Sequence, residues 1–451
     1  MQENFWRLIY RLTPLSWHQY FDQSGWRRYF GNTSWLFLAQ LVSLVISFFI
    51  GVIIARRLGP ELYGTLNYAL SLTTILGIFF CFGIDAAMNR ELIKYPEKEK
   101  SLLGTFWVIK LLGGFLTLAS VIFISIWKNF DVLTFSLVVL FAFVFIGQSF
   151  NVITLFFQAR VESKKSSLAQ IGASLVSLSL KIIWLFSSLN LLVLAIIYLS
   201  DVIFNSLFLI LYYRRGSGSL RQWRFDCKVF RNIITSGGLL MFSGVAILAI
   251  LKIDQVIIGQ FLGKTEVGFY AVADRLTEVW DFIPRLICLS LFTAIINAYR
   301  TDIKLYRRRV RRLYQLMLVL SISLTILILL ISRPLIMMLF GPEYEPSVAV
   351  LRVYVLSLPG IFLFTAANQR LVAENREKII LLANLSGLTL NIVLNFLFLP
   401  RFGLIGSAWA TVVTFTYLTI FMVFRPTRQQ PNGAASLVEP DKTRDVNSIS
   451  F

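Results

Sequence analysis

One feature decides what this chain can fold into. Runs of about 20 apolar residues, each long enough to cross the hydrocarbon core of a bilayer as an α-helix, recur from end to end. A backbone in hydrocarbon must satisfy its hydrogen bonds internally, so runs of this length predict helices rather than open sheet. Twelve runs qualify: 33–54, 63–84, 101–127, 131–157, 166–186, 189–213, 232–261, 267–297, 313–332, 348–371, 378–398 and 402–424. The composition agrees, with 57% hydrophobic residues, 15% charged residues and a mean hydropathy of +0.71. The expected fold is an all-α polytopic membrane protein of about twelve transmembrane helices.

Lysine and arginine fall about five times as often in the segments on one side of this path as on the other, the bias that marks the cytoplasmic face. Dropping a span would scramble the alternation, so both termini are expected in the cytoplasm. The net charge of +19 then needs no nucleic-acid partner. The run RTDIKLYRRRVRR (300–312) reads as an inner loop facing anionic lipid. Residues 1–32, with Trp6, Arg7, Tyr10 and Arg11, suit a helix lying in the inner interface. Residues 425–451 read as a polar cytoplasmic tail. Cys81, Cys227 and Cys288 lack metal spacing, and the single histidine, His18, lies outside the spans. No metal site and no cofactor is expected.

The two halves echo each other. IARRLGPELYGTLNYA (54–69) aligns with IGQFLGKTEVGFYAVA (258–273) at an offset of 204, placing Leu58 and Gly59 on Leu262 and Gly263, and Gly64 on Gly268. Each copy is a span, a glycine-bounded outer turn and a second span. A weaker echo joins 160–171 to 372–383, two inner loops entering the fifth and eleventh spans. Six spans separate the copies, so the repeat is parallel. The organisation expected is two pseudo-symmetric six-helix bundles, 33–213 and 232–424, joined by a basic linker at 214–231.

ARRLGPELYG after the first span, KIDQVIIGQFLGKTEVGFYAVADRL at the seventh and eighth, and the six-plus-six layout resemble the bacterial oligosaccharide flippases. These form the polysaccharide-export branch of the multidrug/oligosaccharidyl-lipid/polysaccharide exporter superfamily. The resemblance covers roughly residues 33 to 424. It implies a V-shaped pair of bundles, like the multidrug exporters, in the bacterial cytoplasmic membrane. It implies a monomer that moves a lipid-linked oligosaccharide from the inner to the outer leaflet by alternating access. Antiport of H⁺ or Na⁺, and partnership with a glycan polymerase and chain-length machinery, belong to the same expectation.

One span contradicts its own hydrophobicity. DRLTEVWDFIPR (274–285) carries Asp274, Arg275, Glu278, Asp281 and Arg285. A charge facing lipid at mid-membrane costs about 2.5–3.5 kcal/mol, so five such charges must face protein or water. Residues 274, 278, 281 and 285 share one helical face. Two readings stay open: an ion-pair network locking the eighth span to its neighbours, or a stripe lining an aqueous cavity. The first-half counterparts at the 204 offset, Leu70, Ser71, Thr74, Gly77 and Cys81, carry no charge, which favours the cavity. Asp254 and Asp274 flank the outer turn at similar depth, so with Lys252 and Arg275 they are expected to form one cluster. Lys110 and Asp201 lie deep in first-half spans.

A pyrophosphate-linked glycan needs cations, which makes Lys110, Lys252, Arg275 and Arg285 the candidate phosphate contacts, arginine's fork suiting phosphate oxygens. Asp254, Asp274, Glu278, Asp281 and Asp201 are candidates to tether those cations or to take a coupling ion. Trp107, Trp280 and Tyr270 are candidate sugar platforms, and Pro284 and the LPG at 358–360 candidate pivots. A multidrug/cation antiporter of the related branch is the first alternative. A membrane glycan polymerase or ligase is the second, disfavoured by short outer loops, the longest about 15 residues (332–346), and by the absence of a P-loop. No enzymatic activity is expected.

Overall fold

The computed structural model describes residues 24–81, 84–187, 190–216 and 218–426, the side chains of 24–33, 78–84, 86–87, 232–241 and 293 excepted. Of the expected interfacial segment 1–32 only 24–32 is described, as the helical start of α1, and of the tail 425–451 only Arg425 and Pro426. Among the described residues every regular element is helical. The chain runs α1 (Ser24–Cys81), α2 (Ile84–Lys94), α3 (Glu99–Trp127), α4 (Val132–Gly147), α5 (Val152–Ala159), α6 (Ser163–Leu185) and α7 (Leu191–Gly216). It continues through α8 (Cys227–Phe261), α9 (Lys264–Glu278), α10 (Phe282–Thr301), α11 (Ile303–Leu339), α12 (Ser347–Tyr354), α13 (Leu358–Ala373), α14 (Glu377–Phe402) and α15 (Leu404–Val423).

Ten helical stretches are long and apolar enough to cross a membrane, and Lys264–Phe292 with Ala294–Thr301, bent by 43°, makes an eleventh. The first of the ten, Ser34–Gly77, is 44 residues long, about 66 Å at 1.5 Å per residue. That is twice a bilayer core, so it must fold back. It does so at Gly59, where φ is 71° and ψ 172°. The left-handed φ costs glycine nothing, and Pro60 opens the second arm with no amide hydrogen to leave unpaired. With α1 counted as two arms, the twelve segments of the sequence are recovered.

The same device recurs along one end of the molecule, here called the hairpin end. Gly263, Gly341 and Gly403 all have positive φ (106°, 98° and 58°), and Asn129 (φ 50°) makes the α3–α4 turn. The opposite, basic end carries its own echo. Val161 (φ 58°) and Asn375 (φ 53°) sit at matching turns, each followed by an amide closing onto a helix end: Glu162 to Phe157 (2.8 Å) and Arg376 to Leu371 (2.9 Å). These turns are 214 residues apart, so the offset of 212 expected from the sequence is corrected by two.

The helices up to α7 pack mainly among themselves, as do those from α8 onward, and the halves meet chiefly where α1 lies against α8 and α9. At the hairpin end the fit is reciprocal. A Cβ on Gly64 would overlap the Lys264 carbonyl, and one on Gly268 would overlap the Pro60 carbonyl. The repeated glycines are therefore where two backbones touch. Tyr344 closes the same end, donating to the Ala55 carbonyl at 2.8 Å among Tyr63, Phe269 and Phe340.

Candidate functional site: a polar cavity between the halves

Below this seal lies a cavity of about 1130 Å³, larger than the roughly 300–1,000 Å³ of ordinary small-molecule pockets. Its lining runs from Ser47, Lys181 and Tyr198 at mid-depth to Leu36, Asp85 and Gln158 towards the basic end. Ser47 lies about 18 Å below the Gly59 turn, and Leu36 about 34 Å below it.

The first half supplies most of the wall. On α6, Ser166, Gln170, Ser174, Ser177 and Lys181 all line the cavity, and their spacing of 4, 4, 3 and 4 puts them on one helical face. Between α4 and α5 the span tightens into a 3₁₀ turn, Gln148–Asn151, from which both Gln148 and Asn151 reach the cavity. A break of this kind is tolerated at membrane depth only where protein or a wet cavity satisfies the backbone. Ser206 does part of that work, donating to the Gly147 carbonyl at 3.0 Å. On α7, Asp201 and Asn205 complete this face, and Lys181 lies over the Tyr198 ring at 4.5 Å.

The second half contributes charge. Glu278, Asp281 and Arg285 line the cavity, with Arg285 3.7 Å from Asp281 and 67% of its side chain exposed. Their neighbours on the expected stripe turn elsewhere. Asp274 is buried, taking hydrogen bonds from Tyr354 (2.9 Å) and Gln255 (2.9 Å) and an ion pair from Lys252 (3.5 Å). Arg275 crosses to the first half and donates to the Ser47 carbonyl. It fits because Gly51 has no side chain; a Cβ there would overlap the guanidinium.

The expected cationic lumen needs correcting. The cavity lining holds four carboxylates (Asp85, Asp201, Glu278, Asp281) and two cations (Lys181, Arg285). Of the four proposed phosphate contacts only Arg285 lines it. Lys110 is buried against Asp85 at 2.6 Å, and the half-buried Lys252 pairs with Asp274 outside the lining. The physical reason is desolvation: a cation in a low-dielectric span takes a carboxylate partner rather than standing free.

Asp254 also departs from the expected cluster. It points into the second half, where Tyr270 (2.6 Å), Thr411 (2.5 Å) and Asn395 (2.8 Å) donate to it. Asn395 is held in turn by Asn391 and Ser407. Tyr270 packs edge-on to Tyr354 at 5.5 Å, so Asp254 and Asp274 bracket one buried polar layer without touching the cavity. Trp107 packs against Phe150 and Trp223, and Trp280 and Tyr270 belong to the core. None of these three rings lines the cavity. Pro359 opens α13 immediately after the 3₁₀ turn Val355–Ser357, so the span breaks at the LPG.

Charge marks the eighth span in the sequence, whereas the amide and hydroxyl wall of the first half carries no such mark. The signal for Ser166, Gln170, Ser174 and Ser177 was their helical spacing inside SSLAQIGASLVSLSLKI (166–182).

The stretch 30–296 matches the family model described as polysaccharide biosynthesis protein, and 240–397 matches the MatE model. A Shigella flexneri protein named putative O-antigen transporter is 24% identical over 407 residues, covering 84% of this chain and 92% of that protein. The Staphylococcus aureus capsular polysaccharide biosynthesis protein CapF is 22% identical, covering 87% and 98%. Among solved structures the fold is shared with the lipid II flippase MurJ in an inward closed conformation, at a TM-score of 0.67 and 16% identity over 86% of each chain. With the larger part of its length matched by that first model, the chain belongs to the polysaccharide biosynthesis protein family.

Proposed function

We propose that this multi-pass membrane protein flips a lipid-linked oligosaccharide across the cytoplasmic membrane by alternating access. The basic end faces the cytoplasm in this reading, supported by the lysine and arginine bias. The observation that carries the proposal is the cavity itself: about 1130 Å³, rich in polar side chains and lined from mid-depth towards the basic end, with the reciprocal glycine contact closing the hairpin end. A glycan held there is shielded from lipid while its polyprenyl tail stays outside the cavity. Rocking the halves would part Gly64 from Lys264 and Gly268 from Pro60, and would offer the glycan to the other side. The names of the Shigella flexneri protein and of MurJ point the same way.

Arg285 is the accessible cation for the pyrophosphate, with Lys181 deeper in the cavity. Coupling to H⁺ or Na⁺ is assigned to the buried layer of Asp254 and Asp274, whose carboxylates take hydrogen bonds from hydroxyls and side-chain amide N–H groups between α8, α9, α14 and α15. A second reading, a cation antiporter, draws support from the excess of carboxylates in the cavity lining.

In cells lacking the protein, a membrane-impermeant sugar-modifying reagent applied to spheroplasts and to inverted vesicles separates the two. The flippase reading expects completed lipid-linked units trapped on the cytoplasmic leaflet and released when the gene is restored. Normal delivery of those units, with altered tolerance of small organic cations, would establish the antiporter instead.

A further inference from the structure

The first-half wall of the cavity carries, beside Asp85, Lys181 and Asp201, a broad band of uncharged amides and hydroxyls that the second-half wall lacks. On α1, Gln40, Ser43 and Ser47 face the cavity one turn apart. Beside them on the same wall are the α6 stripe of Gln170, Ser174 and Ser177 and the turn residues Gln148 and Asn151. Within a membrane span these side chains are costly against lipid, and a packed core would pair them with one another. Their pairing is incomplete. Gln170 donates to Ser43 (3.2 Å), Ser43 meets Ser174 (3.3 Å), Arg275 reaches the Ser47 hydroxyl (3.4 Å), and Asn205 donates to Asn151 (3.4 Å). Among the described residues, the side chains of Gln40, Gln148 and Gln158 make no hydrogen bond to the protein, and the buried Ser177 hydroxyl has no partner.

We propose that this first-half wall is the glycan-binding face, and that it takes a neutral, hydroxyl-rich oligosaccharide of a few sugar units. Side-chain amides each offer two donors and an acceptor, and serine hydroxyls offer both, which is the complement of a sugar ring's alternating hydroxyls. The 3₁₀ turn at 148–151 brings both Gln148 and Asn151 onto this wall. The charged face across the cavity, with Arg285, is left to the anionic end of the same molecule. The glycan is thereby read by the first half and the carrier phosphates by the second. This rests on the flippase reading.

The test uses the full-length protein in nanodiscs and two probes: polyprenyl pyrophosphate, and the glycosylated polyprenyl pyrophosphate extracted from cells lacking the protein. Affinities are compared for wild type and for the variant Gln148→Leu/Gln170→Leu/Asn205→Leu, whose new side chains suit a membrane interior. We expect the advantage of the glycosylated probe over the bare carrier to fall about tenfold or more, with bare-carrier binding within about twofold of wild type. An unchanged advantage, or an equal loss for both probes, overturns the glycan face while leaving the flippase intact. If wild type binds neither probe, the flippase reading itself fails. Loss of folding is excluded by requiring the bare carrier to bind the variant, and Gln170→Asn, which keeps the amide, should retain most of the glycan advantage.

Discussion

The two hairpins of the repeat share a backbone and differ in chemistry. Both turn at a left-handed glycine, and both place a second glycine against the other copy's backbone. Yet Phe48, Ile50 and Gly51 stand in the first copy where Lys252, Asp254 and Gln255 stand in the second, and Ser71 stands for Arg275. Contacts across the interface use the mismatch: Arg275 fills the space above Gly51, and Ser71 donates to Gln255 at 2.8 Å. A symmetric backbone thus carries an asymmetric surface. The shared part closes the hairpin end; in the proposed cycle it is what parts and re-forms, and the divergent part is what gives each half its own side of the cargo.

The comparison breaks most sharply at the glycines. Gly64→Val and Gly268→Val each force atoms into an opposing carbonyl, an overpacking cost of about 1–3 kcal/mol or more. Each should abolish nearly all transport and leave the hairpin end open to impermeant thiol reagents. Gly244, with nothing within 4 Å of an added Cβ, should accept Ala without loss. Transport scored beside thiol accessibility separates the two classes.

Next comes the polar layer found only in the second half. Asp254→Ala strands the donors of Tyr270, Thr411 and Asn395, each costing about 1–3 kcal/mol when buried and unmet. Its unfolding temperature in detergent should drop well below that of Asp254→Asn, which keeps one acceptor oxygen. Within the first half, Lys110→Met should destabilise by leaving Asp85 unpaired. Adding Asp85→Asn should recover about 1 kcal/mol of that loss in a double-mutant cycle. The smallest structural effect belongs to Arg285. Because most of its side chain is exposed to the cavity, Arg285→Gln should change stability by about 0.5 kcal/mol or less while lowering transport several-fold.

Span number and the repeat were legible in the sequence because both rest on short-range patterns. Apolar runs of bilayer length admit one secondary structure, and glycine at a left-handed turn leaves a local mark. The cavity wall was harder to see. Lys110 and Lys252 are as polar in sequence as Arg285, and nothing local says that Asp85 and Asp274 neutralise them. The direction in which Asp254 faces depends on Asn395 and Thr411, 141 and 157 residues away. Serine and glutamine on α6 were passed over because each alone is ordinary in a helix. Only their convergence with α1, α7 and the 148–151 turn on one space makes them a surface.

The most direct measurement joins the cavity to the seal. The purified protein, with Cys81, Cys227 and Cys288 replaced and one cysteine pair placed across the hairpin-end seam beside Gly64 and Gly268, both glycines kept, is reconstituted with the glycosylated carrier. An impermeant sugar-modifying reagent then reports transfer between leaflets. The account predicts transfer in the reduced protein, arrest on oxidation and recovery on reduction. Transfer that continues with the seal locked, or none by the reduced protein, would contradict it.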